Sequence, residues 1–250
     1  MRLIAKLIIK GKIKTETGLH IGGSKSSLDI GEVDLNVIKT PGGVPFIPGS
    51  SLKGKLRSLL ARTEGSLDVG NDPLYIKEIF GSAADSNNGI VTRLLVRDAN
   101  LDVAQFKNDF SDVKMDFEFS DVKWENRIDR KSGTAKDPRQ LERVPSGTCF
   151  NYELIYDVYD DGNNPIEQSD PKTRLAKHLW AIHRAMQLLE DDYIGGQGSR
   201  GYGKVRFEQP AVEYKKIDKN AAYAISEEKP KEISAFESDL GIAITSTASA

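Results

Sequence analysis

The strongest constraint on the fold is a change of period along the chain. Residues 3–15 alternate, with Leu3, Ala5, Leu7 and Ile9 on one side and β-branched Ile4, Ile8, Ile9 and Ile13 throughout. That is the pattern of a strand. Leu52, Leu56, Leu59 and Leu60 then fall at i, i+4, i+7 and i+8, one apolar stripe on a helix that Ser50 or Ser51 would cap. Phe150 to Tyr159 alternate again, with Tyr152, Leu154, Tyr156 and Val158 on one face and Ile155 opposite. Asp170-Pro171 opens a second helix, Asp as its N-cap and Pro at its first position. Its core stripe is Leu175, Leu179, Ile182, Met186 and Leu189, and it ends near Asp192. Lys204 to Phe207 return to a strand. Strands and helices that are each apolar on one side only must bury those sides against one another, so the fold class expected is α+β.

One stretch breaks the rhythm. Residues 85–146 are polar and turn-rich, beginning Asp85-Ser86-Asn87-Asn88-Gly89, and are expected to project from the core as an insertion. The tail from Ala221 is rich in Ser, Thr, Ala and Glu, and its last residues are expected to be mobile. A chain of 250 residues can bury roughly 70% of the surface it exposes unfolded, enough for one elaborated domain. No stretch approaches the ~18 apolar residues of a membrane span, and the first ten residues lack a signal peptide's apolar run, so no membrane association is expected. The single cysteine, Cys149, excludes an internal disulfide, and with only three histidines a zinc cluster is not expected. A reducing, cytoplasmic location follows as the expectation.

Net charge is −2, but the signs are segregated. Leu35 to Thr63 hold no acid and carry Lys39, Lys53, Lys55, Arg57 and Arg62. Tyr193 to Phe207 hold none either, with Arg200, Lys204 and Arg206. Between Lys123 and Arg143 seven bases face four acids, whereas Asp98 to Asp121 hold seven acids. A near-neutral chain divided in this way suggests one basic surface. Lys53 and Arg57 sit four apart on one helix face, where they would meet phosphates as point charges.

Two well-known signatures fail on context. Gly49-Ser-Ser-Leu-Lys-Gly54-Lys55 has P-loop spacing, but Leu56 stands where Ser or Thr would bind magnesium, and Gly54 and Lys55 lie inside the helical stripe. Gly196-Gln-Gly198-Ser-Arg-Gly201 matches the dinucleotide fingerprint, but here a helix precedes the glycines and a strand follows. No bound nucleotide is expected. What remains is a glycine loop, residues 195–203. Gly196, Gly198 and Gly201 would let its backbone approach a phosphate chain, Arg200 would add charge and Tyr202 a stacking face; the plain alternative is a turn into the next strand. His20 stands between glycines in Thr17-Gly-Leu-His-Ile-Gly-Gly23, either as a satisfied polar residue or as a contact to phosphate or a 2′-hydroxyl. Asp34, two residues after Glu32, stands just before the acid-free window; it is either a strand-edge carboxylate or a group close to a bound polyanion.

Thr17–Gly23, Pro45-Phe-Ile-Pro-Gly-Ser-Ser-Leu-Lys-Gly-Lys-Leu-Arg-Ser-Leu-Leu60 and the 195–203 loop together resemble RAMP-superfamily proteins of CRISPR–Cas systems. More closely they resemble the backbone subunit of the type III-A (Csm) effector complex. Glu125-Asn-Arg-Ile-Asp-Arg130, Gly133 and Glu142–Thr148 are similar to the same subgroup and its type III-B counterpart. The resemblance implies a ferredoxin-like (RNA-recognition-motif-like) core in two pieces, 1–84 and 147–210, a thumb at 85–146 and a C-terminal extension at 211–250. It implies copies stacked as a helical filament on guide crRNA, beside other subunits of a type III complex, cutting the paired single-stranded target RNA at six-nucleotide intervals. Asp34 would be the catalytic residue, holding Mg²⁺ or another divalent cation indirectly or transiently, or positioning the 2′-hydroxyl. His20, Lys53, Lys55, Arg57, Arg127, Arg130, Gly196, Gly198, Arg200, Gly201 and Tyr202 would bind RNA. Glu32 has no role in that pattern. The alternatives are a guide-binding scaffold without catalysis, and a nuclease that processes CRISPR repeats with a histidine, for which His20 is the candidate.

Overall fold

The computed structural model describes residues 2–23, 35–82, 89–160, 171–217 and 223–242. Its main sheet begins with β1 (Arg2–Thr15) and β2 (Phe46–Ile47), followed along the chain by the helices α1 (Gly49–Thr63) and α2 (Leu74–Phe80). Next come β3 (Leu94–Val96), β4 (Ala99–Leu101), α3 (Val103–Asp109) and a hairpin of β5 (Asp121–Ile128) and β6 (Ala135–Arg143). The chain closes with β7 (Cys149–Asp160), α4 (Pro171–Glu190), β8 (Val205–Lys216), β9 (Ala224–Ile225) and α5 (Lys231–Asp239).

The sheet is antiparallel, in the order β2-β4-β7-β1-β8-β9, with β3 also pairing β7. The long strands β1 and β7 pair from Arg2↔Asp160 to Lys14↔Cys149 at its centre. Alternation sends Ala5, Leu7, Ile9 and Ile13 of β1, and Phe150, Leu154 and Tyr156 of β7, into the core. The stripes of α1 (Leu52, Leu56, Leu59, Leu60) and α4 (Leu175, Leu179, Ile182, Met186, Leu189) are buried in the same cluster. The other face of β1 carries Lys6, Lys10, Lys12 and Lys14. Each is paired: Lys6 with Asp157, Lys10 with Glu213 at 2.8 Å, Lys12 with Asp102 at 3.2 Å and Lys14 with Glu208 at 3.7 Å.

Three features depart from the sequence pattern. Neither Ser50 nor Ser51 caps α1. The helix starts at Gly49, after Pro48, and the Gly49 N–H donates to Asp98 Oδ1 at 2.7 Å. The cap comes from a residue distant in sequence because Gly49 is wedged against the β3–β4 turn, where a Cβ would lie 2.3 Å from the Val96 carbonyl oxygen. Second, β3 and β4 fall inside the 85–146 stretch yet pair with β7 in the main sheet. Among the described residues of that stretch, the α3 segment and the β5–β6 hairpin, which forms its own two-stranded sheet, leave it. Third, β8 runs on to Lys216, and α5 behind it buries Ile233 and Phe236 in the main core. The expected Asp170 cap and the tail end beyond 242 lie outside the described residues.

Under α4 lies a buried polar network. Glu78 of α2 faces His178 Nε2 at 3.1 Å, Arg93 Nη2 at 3.5 Å and Arg174 Nε at 3.8 Å. His178 Nδ1 is 2.7 Å from the Tyr156 hydroxyl. Burial disfavours the Glu78 charge, but His178 and the two guanidinium groups outweigh it and hold the carboxyl below its ordinary range. Removing one partner of such a network strands charge in the core. Glu78→Ala is therefore expected to cost about 3–5 kcal/mol in urea unfolding. A loss under about 1 kcal/mol would show that the neighbouring groups do not depend on this carboxylate.

Candidate nucleic-acid interface

Beyond the ends of β1 and β7 three segments meet at the root of the β5–β6 hairpin. Leu19 pairs with Val144, just past β6. Residues 21–23 and 36–38 form a short ribbon, with Ile38 N–H donating to Ile21 O at 2.8 Å and Gly23 N–H to Asn36 O at 3.0 Å. Leu35 lies parallel to Leu141, and Glu142 N–H donates to Leu35 O at 3.0 Å. The buried Glu142 carboxylate accepts the Val37 N–H at 2.9 Å and the Ser120 hydroxyl, and pairs with Lys39. Asp34 and Glu32 lie outside the described residues; Leu35, the next residue in sequence after Asp34, is bonded to Glu142 through its carbonyl.

His20 is buried, only 6% exposed, and its Nδ1 donates to the Glu142 carbonyl at 2.8 Å. Its own carbonyl accepts Gly196 N–H at 2.8 Å, and the Gly18 carbonyl accepts Gly203 N–H at 2.9 Å. The glycine loop is thus fastened to the His20 loop through its backbone. Gly195, at φ +84°, would place a Cβ 2.4 Å from the His20 carbonyl oxygen. Gly198 has no positive φ. Its close neighbour is the Tyr193 ring, whose carbons would lie 2.1–2.2 Å from a Cβ there. The same ring takes the Lys55 ammonium 3.8 Å from its centroid. Gly201 sits in the left-handed region at φ +85°, with open space where a Cβ would go.

Tyr202 is not the open stacking face expected of it. It is 2% exposed, under the hairpin, with the Lys123 ammonium 4.7 Å from its ring centroid. Its hydroxyl faces Glu125 without a well-aligned hydrogen bond. Burial and that carboxylate push it up to about 12. Glu125 also holds Arg139 at 2.9 Å and Arg200 at 3.3 Å, a clasp between hairpin and glycine loop. Arg200 keeps an exposed guanidinium.

The basic stripe on α1 is likewise committed within the fold. Lys53 Nζ donates to Thr92 Oγ1 and to Leu94 O, both at 2.8 Å, and burial lowers its pKa. Arg57 donates through Nε to Asp72 Oδ2 and through Nη1 to Gly81 O, both at 2.8 Å. These side chains tie α1 to α2 and β3, so Lys53 and Arg57 are not free charges aimed at phosphates. Lys55 pairs with Asp192 at 3.2 Å.

The exposed cations lie farther out. Arg127 and Arg130 stand in solvent towards the hairpin tip, beside Trp124 (60% exposed) and Ile128 (69% exposed). Trp124 and Ile128 escaped the sequence reading; alternation within residues 121–128 is the signal that could have found them. Among the described residues no three His, Cys, Asp or Glu side chains converge as a metal site, and no helix is long and apolar enough to cross a membrane.

Comparison with known proteins gives a consistent result. The profile of the RAMP superfamily matches residues 12–206. The chain is 41% identical over 209 residues to the CRISPR system Cms endoribonuclease Csm3 of Streptococcus thermophilus, covering 82% of this chain and 88% of that protein. It is 38% identical over 218 residues to the protein of the same name from Methanocaldococcus jannaschii, covering 83% and 80%. Among solved structures, a Csm3–Csm4 subcomplex of the type III-A CRISPR-Cas interference complex superposes with a TM-score of 0.54 at 28% identity. That match covers 97% of this chain and 99% of the other. A chain of the type III-B Cmr-beta complex bound to cognate target RNA shares the fold at a TM-score of 0.53 and 18% identity, covering 83% and 61%.

The packing around Gly198 has a direct consequence. Gly198→Val drives a side chain into the Tyr193 ring, and overpacking of this kind costs about 1–3 kcal/mol. The melting temperature of the isolated chain is expected to fall by about 3–10 °C. An unchanged melting curve would mean that the ring moves aside freely and that Gly198 answers to something other than packing.

Proposed function

The chain belongs to the RAMP superfamily, and from that premise we propose that it is a filament-forming backbone subunit of a type III CRISPR interference complex. It binds guide crRNA and cleaves the paired target RNA at six-nucleotide intervals, with Asp34 as the catalytic carboxylate. The observation that carries this reading is the likeness, along four-fifths of the chain, to relatives named as endoribonucleases. The junction at the hairpin root supports it, since Leu35, next in sequence to Asp34, the His20 loop and the glycine loop all meet there. The order β8-β1-β7 followed by β3 and β4, with α1 and α4 on one face, supports a ferredoxin-like core. The α3 segment and the hairpin are then the thumb, and 1–84 with 147–210 the bulk of the core. The partners are crRNA, single-stranded target RNA, further copies of the chain and other subunits of the complex, in the cytoplasm.

His20 is a poor general base for a repeat-processing nuclease, because it is buried and its Nδ1 is committed to a carbonyl. A carboxylate can position the 2′-hydroxyl for attack on the adjacent phosphate without a histidine pair. Mg²⁺ or another divalent cation is proposed as the cofactor, to neutralise charge on that phosphate. Asp34 would be one of the groups that hold it, and among the described residues no cluster of three metal-ligating side chains is present.

RNA contact is proposed for the exposed cations Arg127, Arg130 and Arg200, and for the backbone at Gly196 and Gly201. Lys53, Lys55 and Arg57 act in this reading by holding α1 in place.

In assembled complex, Asp34→Ala is expected to lower target cleavage by about a hundredfold or more while guide and target binding persist. Normal cleavage by complex containing only the mutant subunit would remove Asp34 from the reaction. Replacing Arg127 and Arg130 by alanine together should weaken RNA binding independently of sequence. The slope of log K against log salt should become shallower by about 1–1.5, two phosphate contacts of a single strand. An unchanged slope would leave the hairpin tip outside the RNA path.

A further inference from the structure

Two features of this chain have no role in the RNA reading. The first is the outer face of α4. From Pro171 to Leu189 this helix carries no acid, and its exposed side includes Lys177, Trp180 and Arg184, one turn apart on either side of the tryptophan. Trp180 is 55% exposed, which is unusual for so large an apolar group on an ordinary surface. The second is a 460 Å³ cleft in the α3 segment, walled by Phe106, Phe110, Val113, Met115 and Phe117. Val113 and Phe117 leave about half of themselves in solvent, at 54% and 42%. Around it Asp112, Asp116 and Glu118 are exposed; Lys107 also lines the cleft and pairs with Glu118 at 3.3 Å, while Asp112 and Asp116 make no ion pair among the described residues.

We propose that Trp180 of one copy seats in the α3 cleft of the next copy, with Arg184 beside the Asp112 and Asp116 carboxylates at its rim. This rests on the filament reading above and names a contact within it. The chemistry is complementary on both counts. An indole meets three phenylalanines and a methionine, and the outward Arg184 guanidinium meets two carboxylates that no cation of their own copy pairs. α3 makes no packing interface with α4, so a copy does not fill its own cleft. Knob and hole lie on different surfaces, so the contact is heterologous, the type that can repeat from copy to copy along a filament. RNA is the weaker occupant for Trp180. The Lys177 ammonium is already turned onto the Tyr75 ring, 4.7 Å from its centroid, and only Arg184 remains fully outward beside the indole.

The test mixes full-length Lys177→Cys chains, which keep the indole and carry the thiol one turn from it, with full-length Val113→Cys chains and adds a short bis-maleimide, with and without single-stranded RNA long enough for several copies. A two-chain product that appears in the mixture and in neither variant alone is the expected result. Trp180→Ala, at an exposed position that leaves folding intact, should weaken association between copies by about tenfold or more. No cross-link in either condition overturns the contact, even if copies still assemble on RNA, in which case the filament reading stands without it. A cross-link without RNA-dependent assembly supports the contact and sinks the filament reading instead. If Trp180→Ala weakens RNA binding by single copies and leaves their association unchanged, the face belongs to RNA and the proposal fails.

Discussion

The buried carboxylate of Glu142 is the constraint on which the functional end of the molecule depends. It lies at the root of the hairpin, almost without exposure, where an unpaired charge would be expensive. Its oxygens gather a backbone N–H of the 36–38 ribbon, a hydroxyl from the segment before the hairpin and the Lys39 ammonium. Its backbone bonds Leu35 on one side and the His20 ring on the other. Four stretches far apart in sequence therefore share one residue. A hydrophobic side chain could fill the space but could not satisfy three donors, and each donor left unpaired costs about 1–3 kcal/mol. The polar choice here fixes position, because only one arrangement of the segments satisfies the carboxylate.

That dependence explains what was legible in the sequence. The strands β1 and β7 and the helices α1 and α4 announce themselves by period, because each buries one continuous face. The strands β3 and β4, three residues each, are too short to show a period and are placed by pairing with β7. The start of α1 was misplaced because its cap, Asp98, comes from the β4 side of the sheet; local preference for Ser lost to a tertiary contact. At the hairpin root, sequence singled out the His20 loop and the glycine loop, which the structure bonds to one another, but not the partners that several side chains find there. Lys53 and Arg57 do share a helix face, but partners from other parts of the chain, Thr92 and Asp72, claim them. Spacing along a helix tells which side chains are neighbours; it carries no information about what lies opposite.

The glycine loop shows the same limit from another side. Its glycines suggested close approach, and approach is what the structure contains, but chiefly of protein to protein. Gly195 meets the His20 carbonyl, Gly198 the Tyr193 ring and Gly203 the Ile194 carbonyl. The backbone freedom of Gly201 is the part with space beside it. A loop packed this closely is a joint between the α4–β8 connection and the hairpin, and Tyr202 and Arg200 are its two pins.

Charge distribution then separates the surfaces. On the open face of the sheet every β1 lysine meets an acid from a neighbouring strand or from the start of α3. Cations so committed release few counterions when a polyanion arrives, so that face has little to offer RNA despite its lysines. Arg127 and Arg130, two uncommitted guanidinium groups, stand on the hairpin, which leaves the sheet and is held back through Glu125 and Arg200. In the filament proposed above, neutralising the sheet while extending the free charge on a lever would let copies of a near-neutral chain pack side by side. Repulsion between like-charged faces would otherwise oppose that packing, and the basic surface would be kept for the proposed RNA strand.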